Sequence, residues 1–223
     1  MIGIIGGTVL SKTQFIEGGV GREVDTPYGK ATVVEGDDIT FIQRHGSGNI
    51  PPHMINHRAN IWALSKLAES VIGVGSSGSL KLSIKPPAIV VPDDYIDSNP
   101  QTFYDNEIRH VTPGFDEGLR RQILSTARKS KIKVIDKGIY VQTRGPRLET
   151  KAEVRMLTKY ADIVGMTIAS EATLASELGL KYAAICSVDN YANGLTKKKL
   201  DFHEVKSAAM KQQASIEQII GGL

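Results

Sequence analysis

The chain is short of the residues on which several large classes of protein depend. It has one cysteine, one tryptophan and an aromatic content of only 6%. A lone thiol, Cys186, excludes an intramolecular disulfide, and no Cys/His cluster has zinc-ligand spacing. No apolar run approaches the roughly 20 residues that span a bilayer. The formal charge is +3, from 27 basic and 24 acidic residues, too small a surplus for a nucleic-acid footprint. The basic residues are dispersed except for Lys197-Lys198-Lys199, which reads as a solvated turn. Met1 leads straight into a Gly-punctuated strand, without a basic n-region or cleavage site. The expectation is a cytoplasmic chain with no signal peptide, whose partners include neither membrane nor nucleic acid.

What remains is an ordinary globular composition, 41% hydrophobic and 23% charged, in 223 residues. That length suits one large α/β domain, residues 1–223, and is short for two. Apolar runs bounded by Gly, Pro or Asp predict strands at 2–5, 39–43, 70–74, 88–91, 133–142, 163–166 and 182–188. Helical patterns lie between them at 56–69, 116–130, 150–160, 170–178 and 202–220, the second with an acidic first turn and a basic last one. Alternating strands and helices imply a three-layer α/β/α sandwich around one mixed sheet. The stretch 92–114, rich in Asp, Asn and Pro, reads as a long surface excursion, and loops of that length are usually functional or disordered. Cys186 falls inside an apolar strand and reads as a buried structural thiol.

Four predicted strand ends carry groups suited to an anion. Gly6-Gly7-Thr8 exposes backbone N–H groups and a hydroxyl where open α/β sheets bind ligands. Its glycine spacing fits neither a dinucleotide fingerprint nor a phosphate-binding P-loop. Arg44-His45-Gly46 adds a fixed cation, suited to bidentate phosphate contact, and a titratable donor, with an ion pair as the plainer use of the arginine. Gly75-Ser76-Ser77-Gly78 and Thr167 end two more strands with small and hydroxylic residues. Together Thr8, Arg44, His45, Ser76 and Thr167 make a cradle for one inorganic phosphate. His53 and His57 read as helix-start structure, because no carboxylate stands at metal spacing around them.

Two further segments, Gly145-Pro146-Arg147-Leu148-Glu149-Thr150 and Asp189-Asn190, supply a carboxylate and a carboxamide. A 6-oxopurine ring can be met by that pair: its ring N–H donates to a carboxylate, and an amide can both donate and accept at its O6 and N7 edge. An adenine edge would prefer a carboxylate in place of Asn190. The plain alternatives are a helix cap for Glu149 and a turn former for Asn190.

These motifs, with Asn56-His57-Arg58-Ala59-Asn60-Ile61-Trp62-Ala63-Leu64 and Gly165-Met166-Thr167 followed by Glu171, stand in one order along nearly the whole chain. In that order and spacing the chain closely resembles the trimeric purine nucleoside phosphorylases and methylthioadenosine phosphorylases. The resemblance implies the nucleoside phosphorylase fold, with a partly barrel-like sheet. It assigns Thr8, Arg44, His45, Ser76 and Thr167 to phosphate, and Met166 to the ribose face. The family usually has Asn or Thr and then Ala where Gly75 and Ser76 stand. Leu148 takes the place of a Phe that packs on the purine, and Glu149 that of the base-recognising Glu of the 6-oxopurine enzymes. The methylthioadenosine enzymes carry a small hydroxyl residue there. Adenine-specific members have Asp at Asn190 and a second Asp where this chain has Ala192.

By the same resemblance Tyr140 contacts ribose, His110 enters the neighbouring subunit's site, and His203 meets the ribose 5′-hydroxyl. Asn190, Glu149 and His45 form the catalytic set. The implied assembly is a homotrimer or a dimer of trimers. The implied activity is phosphorolysis of a 6-oxopurine nucleoside, inosine, guanosine or 5′-methylthioinosine, with phosphate as co-substrate and no metal or organic cofactor. The alternative is 5′-methylthioadenosine as substrate, with Leu195, Leu200 and Phe202 lining an apolar 5′ pocket. A non-catalytic nucleoside- or phosphate-binding protein on the same scaffold is the reading from another class.

Overall fold

The apolar runs become the strands of one mixed sheet. The computed structural model describes residues 1–10, 13, 15, 19, 21–46, 48–198 and 201–223, without the side chains of 202–204 and 206. The strands are β1 (Ile2–Gly6), β2 (Gly21–Thr26), β3 (Gly29–Glu35), β4 (Ile39–Gln43), β5 (Ser70–Ser79), β6 (Ala88–Val91), β7 (Asp94–Asp97), β8 (Ile135–Asp136), β9 (Ile139–Gln142), β10 (Ile163–Gly165) and β11 (Lys181–Tyr191). The helices are α1 (His57–Ser65), α2 (Glu117–Lys129), α3 (Lys151–Leu157), α4 (Ile168–Glu177) and α5 (Phe202–Ile220). Three of the helix starts that sequence pattern marks are capped by side chains. Asn56 accepts from Ala59 N at 3.0 Å, Asp116 accepts from Leu119 N at 2.7 Å, and Thr150 forms a reciprocal box with Glu153 ahead of α3.

The sheet runs β2-β3-β4-β1-β5-β10-β9-β7, with β11, β6 and β8 branching from β5. β5 is long enough to serve both branches. Its first half pairs with β1 and β11, and its second half with β10 and β11. β8 and β9 are one extended stretch bent at Lys137 and Gly138, both at positive φ. That bend closes a ring through β5, β10, β9/β8, β6 and β11, so the sheet is partly a barrel. One apolar cluster, with Ile61, Leu64, Ile168 and Ala172, lies under α1 and α4. Another, with Leu119, Ile123, Ile216 and Ile219, lies under α2 and α5 on the opposite face. The result is the three-layer arrangement expected.

Three strands were not legible. β2 and β3 form a largely exposed hairpin whose cross-strand partners are charged, Arg22 with Glu35 and Lys30 with Glu23. β7 lies inside the polar excursion and adds in parallel to β9. The rest of that excursion is pinned at one point. Phe103 is buried beside Tyr28 and Trp62, its N–H donates to Glu177 at 2.7 Å, and Asp105 takes a two-pronged contact from Arg58. Beyond this anchor, Ile108 is 90% exposed and His110 is exposed as well.

The tightest point in the sheet is Gly73 on β5. A Cβ there would stand 1.8 Å from the Tyr182 hydroxyl and 3.0 Å from Glu171 Oε2. Neither can retreat, since both are fully buried and hydrogen-bonded to each other at 2.7 Å. Gly73→Ala is therefore expected to cost about 3 kcal/mol by overpacking. Urea unfolding of the two proteins measures it, and a loss below about 1 kcal/mol would contradict the rigidity assigned to this wall.

Candidate active site

Strand ends bring the predicted residues to one cavity. β1, β4 and β5 run parallel in register, Gly6 facing both Gln43 and Val74. Gly7 and Thr8, Arg44 and His45, and Ser76 therefore emerge side by side. β10 runs antiparallel to β5, pairing Val164 with Gly78, which carries Gly165 to Thr167 back along the same wall. β11 contributes Asn190, and the turn ahead of α3 contributes Leu148 and Glu149. Thr8, Arg44, His45, Ser76, Leu148, Glu149, Met166, Thr167 and Asn190 all line this cavity, joined by Pro52, Asn193 and Val205.

Arg44 is 3% exposed, and its donors are mostly committed. Nε reaches Glu171 Oε1 at 2.5 Å and Nη2 reaches Glu171 Oε2 at 2.9 Å. Nη1 donates to Val74 O at 2.6 Å and Nη2 to Ile5 O at 3.2 Å. A guanidinium has five N–H groups. These contacts leave one, on Nη1, instead of the two-pronged fork that the sequence suggested for phosphate. Burial opposes the charge, but the Glu171 carboxylate more than offsets it and keeps the guanidinium pKa raised. Burial likewise opposes ionisation of Glu171, and Arg44 beside it holds its pKa down to about 2. The plainer use of Arg44, an ion pair, is thus present, but inside the protein and behind the cavity wall.

The free Nη1 lies against Gly7. A Cβ on Gly7 would stand 2.6 Å from Nη1 and 3.7 Å from His45 Nε2, so only glycine lets both groups meet a ligand at the backbone. His45 Nδ1 is 2.8 Å from Ile50 O and donates to it, which leaves Nε2 turned to the cavity. Burial lowers the His45 pKa, with Arg44 adding to the effect, so the ring is neutral at pH 7.

On the opposite side, Glu149 is 6% exposed. Thr143 Oγ1 donates to its Oε1 at 2.7 Å, and Asn193 Nδ2 donates to its backbone oxygen at 2.9 Å. Among the described residues no donor reaches its second carboxylate oxygen. Thr150, not Glu149, caps α3, which disposes of the capping alternative. Asn190 is a strand residue paired with Gly78, not a turn former, and one of its amide hydrogens is held by Tyr191 O at 2.9 Å. The cavity therefore presents a carboxylate, an amide with a free hydrogen and a free carbonyl, and the exposed side chain of Leu148.

Two expected residues, Tyr140 and His110, are not among those lining the cavity. Tyr140 is 1% exposed, and burial raises its phenol pKa. Its hydroxyl accepts from Thr167 N at 3.2 Å and Ile168 N at 3.4 Å. Gln142 Oε1 accepts from Ala169 N and Ser170 N at 2.8 and 3.1 Å. Between them these β9 side chains satisfy the amides at the start of α4, and the Tyr140 hydroxyl is turned to that helix. His110 lies out on the excursion. The side chain of His203, with those of Leu200 and Phe202, lies outside the described residues; Val205, on the same helix, reaches the cavity. Cys186 is fully buried and its thiol is pushed up to about 12 by that burial, as suits a structural residue. His57 is the first residue of α1, with Nδ1 3.5 Å from Glu171 Oε1 but without hydrogen-bond geometry. Sequence reasoning missed Thr143 and Asn193, which orient Glu149 from six residues before it and forty-four after it. Neither spacing carries a local signal.

The structure is a mixed α/β domain in which hydroxyls, one guanidinium N–H and an imidazole face a carboxylate and an amide across one cavity. The family model described as the phosphorylase superfamily matches residues 1–223. A probable 6-oxopurine nucleoside phosphorylase of Archaeoglobus fulgidus is 47% identical over 228 residues, covering 99% of this chain and 94% of that one. A probable S-methyl-5′-thioinosine phosphorylase of Methanocaldococcus jannaschii is 38% identical over 230 residues, covering 99% and 90%. A solved structure of the Schistosoma mansoni methylthioadenosine phosphorylase in complex with adenine superposes with a TM-score of 0.91 at 28% identity, covering 98% of this chain and 88% of that one. The chain belongs to the phosphorylase superfamily.

Glu171→Gln leaves the Arg44 guanidinium buried without its counter-charge and is expected to cost about 3–5 kcal/mol at neutral pH. Because the folded pKa of Glu171 is depressed, its contribution is present above about pH 4.5 and is lost as pH falls through about 2. The difference between wild type and variant in urea unfolding should therefore shrink across that acid window. A difference independent of pH would show that the ion pair is not its source.

Proposed function

We propose that the protein cleaves 6-oxopurine nucleosides, with or without a 5′-methylthio group, by phosphorolysis. Phosphate binds at Thr8, the free N–H of Arg44, His45, Ser76 and Thr167. The purine lies against Leu148 between Glu149 and Asn190, and Met166 meets the sugar. As the N9–C1′ bond stretches, positive charge develops on the sugar and the bonding pair moves onto the purine. A phosphate oxygen captures C1′, giving free base and ribose-1-phosphate or its methylthio counterpart. Asn190, donating at the N7 and O6 edge, stabilises the departing base through a contact that strengthens towards the transition state, while Glu149, accepting from the ring N–H, orients the base. Inorganic phosphate is the co-substrate and no metal or organic cofactor enters the reaction. On this reading the enzyme is cytoplasmic.

The observation that carries this reading is that Glu149 and Asn190 face one cavity with a carboxylate oxygen and an amide hydrogen that no described residue takes up, across from the Thr8 and Thr167 hydroxyls and the remaining Arg44 N–H. The relatives whose names specify 6-oxopurine nucleosides or methylthioinosine agree with it. Its test is kcat/KM with phosphate for inosine, guanosine, adenosine, 5′-methylthioinosine and 5′-methylthioadenosine measured side by side. A 6-oxopurine is expected to be preferred by about 100-fold or more, because the wrong ring leaves buried groups unpaired. Asn190→Asp should move the preference towards 6-amino purines. Better turnover of both adenine nucleosides than of both hypoxanthine nucleosides would end the proposal.

The working unit on this reading is a trimer or a dimer of trimers, with His110 completing a neighbour's site. Ile108 stands exposed two residues before His110. Ile96, Met156 and Tyr160, all exposed, line an apolar groove of about 610 Å³ beside Glu149 and Thr143, a surface that a second copy would cover. Mixing inactive His110→Ala with inactive Glu149→Ala chains should restore partial activity, since some mixed interfaces carry both residues intact. A fully active monomer by light scattering at assay concentration would refute this arrangement.

A further inference from the structure

Asp189 is a buried carboxylate for which the proposed chemistry has no use. β11 pairs with β5 up to Val188 opposite Ser77 and resumes with Asn190 opposite Gly78, so Asp189 is an extra residue in a bulge. The bulge sets its carboxylate in the wall between the candidate active site and a second cavity that shares Asn190 and Val205. Asp189 is 4% exposed, and among the described residues no cation pairs with it. Two hydroxyls donate to it, Ser187 to Oδ1 and Ser76 to Oδ2.

A serine hydroxyl has one proton and two lone pairs. Ser76 gives its proton to Asp189, so the oxygen it turns to the cavity can only accept. A phosphate dianion also offers only acceptors. Two oxygens without a hydrogen between them repel, and here a buried carboxylate stands just behind. We propose, on the phosphorolytic reading above, that Asp189 is a positioning residue that makes phosphate capture proton-linked. A proton from solvent on Oδ2 lets that O–H donate to Ser76 Oγ, and Ser76 then donates its own proton to a phosphate oxygen. Entry of the phosphate monoanion, with its P–OH donating to Ser76, gives a complex of the same proton count.

The surroundings favour such a proton. Burial pushes the Asp189 carboxyl up to about 6 in spite of its two hydroxyl donors, within reach of neutral pH. The groups facing this region are few. From β5 they are the uncharged Ser76 and Ser77, and from β11 Cys186, Ser187 and Tyr191. Lys198 and Asp201, opposite in sign, line the second cavity with Asp189, while α5 offers Val205 and Ala208 to it. The side chain of His203, also on α5, is outside the described residues. Across the first cavity stand Glu149, His45 and the paired Arg44 and Glu171. Burial lowers the pKa of His45, a second titratable group beside the first cavity, so the proton is assigned by comparing variants.

The test is the pH dependence of KM for phosphate in wild type, Asp189→Asn and Ser76→Ala, corrected for ionisation of free phosphate. The Asn amide donates to Ser76 at every pH, and Ser76→Ala removes the link while keeping the carboxylate. From about pH 6 to 8 the wild-type KM should rise about tenfold per pH unit more steeply than in either variant, with KM for nucleoside unaffected by the difference. Calorimetry of inorganic phosphate binding, in two buffers of different ionisation enthalpy, should show about one proton more taken up by wild type than by Asp189→Asn. Should Asp189→Asn fail to fold, Ser76→Ala supplies both measurements. Parallel profiles and equal proton uptake overturn the proposal, as does a failure of phosphate to bind. Phosphate binding with the proton difference intact but no nucleoside cleavage would instead overturn the functional reading and leave the proton link standing.

Discussion

The buried pair of Arg44 and Glu171 is the contact on which the rest of the site depends. Arg44 arrives at the end of β4 and Glu171 in the first turn of α4, 127 residues apart. Through the same two side chains the pair reaches Ile5 O on β1, Val74 O on β5 and the Tyr182 hydroxyl on β11. Four strands and one helix are therefore tied to one charged centre with almost no exposure. A buried pair is weak evidence for extra stability, since apolar residues of like volume often do as well. Its value here is geometric: it fixes where β1, β4 and β5 end relative to α4, and those ends are the cavity floor.

The start of α4 shows how this order extends. An ordinary helix N-terminus has free amides that attract anions. Here Tyr140 and Gln142 take four of them, Thr167 N to Ser170 N. Whatever anion the cavity holds must be met by side chains and by the Gly7–Thr8 turn. The hydroxyls of Thr8 and Thr167 and the single N–H of Arg44 supply donors, and His45 is held neutral. This donor set has little net charge at neutral pH, which makes the orientation of each hydroxyl count.

Much of this was legible because the chemistry sits where periodicity changes. Strand β6 and helix α5 match their expected bounds, and α2 falls within one residue of them, because clean apolar runs and an Asp cap mark them. The hairpin β2–β3 was not, since Ala31 and Val33 are its only buried residues and four of its charges, Arg22, Glu23, Lys30 and Glu35, pair across the strands. Strand β7 is half acidic, Asp94-Tyr95-Ile96-Asp97, and becomes a strand only because β9 offers it an edge. The residue types at strand ends were readable, but their orientation was not. Arg44 looked inward to Glu171 because an ion pair in the core outweighs an exposed cation, and Tyr140 turned to helix amides that no local pattern reveals.

Asp189 is the clearest case of what a linear reading hides. Beside Asn190 it looks like half of a polar dipeptide closing an apolar strand. The one-residue bulge separates their fates, sending the amide to the cavity and the carboxylate into the wall behind Ser76. A carboxylate at that depth, held by hydroxyls and by no cation among the described residues, is costly to keep ionised. The cost is tolerated where the charge has a use, or where it is removed when a ligand arrives. Ser76 donates to that carboxylate, so hydroxyl and carboxylate act here as one hydrogen-bonded unit. A hydroxyl added to that wall without the carboxylate would donate to a dianion unaided. With it, on the proposal above, the hydroxyl's proton is committed to Asp189 until that carboxylate takes up one of its own.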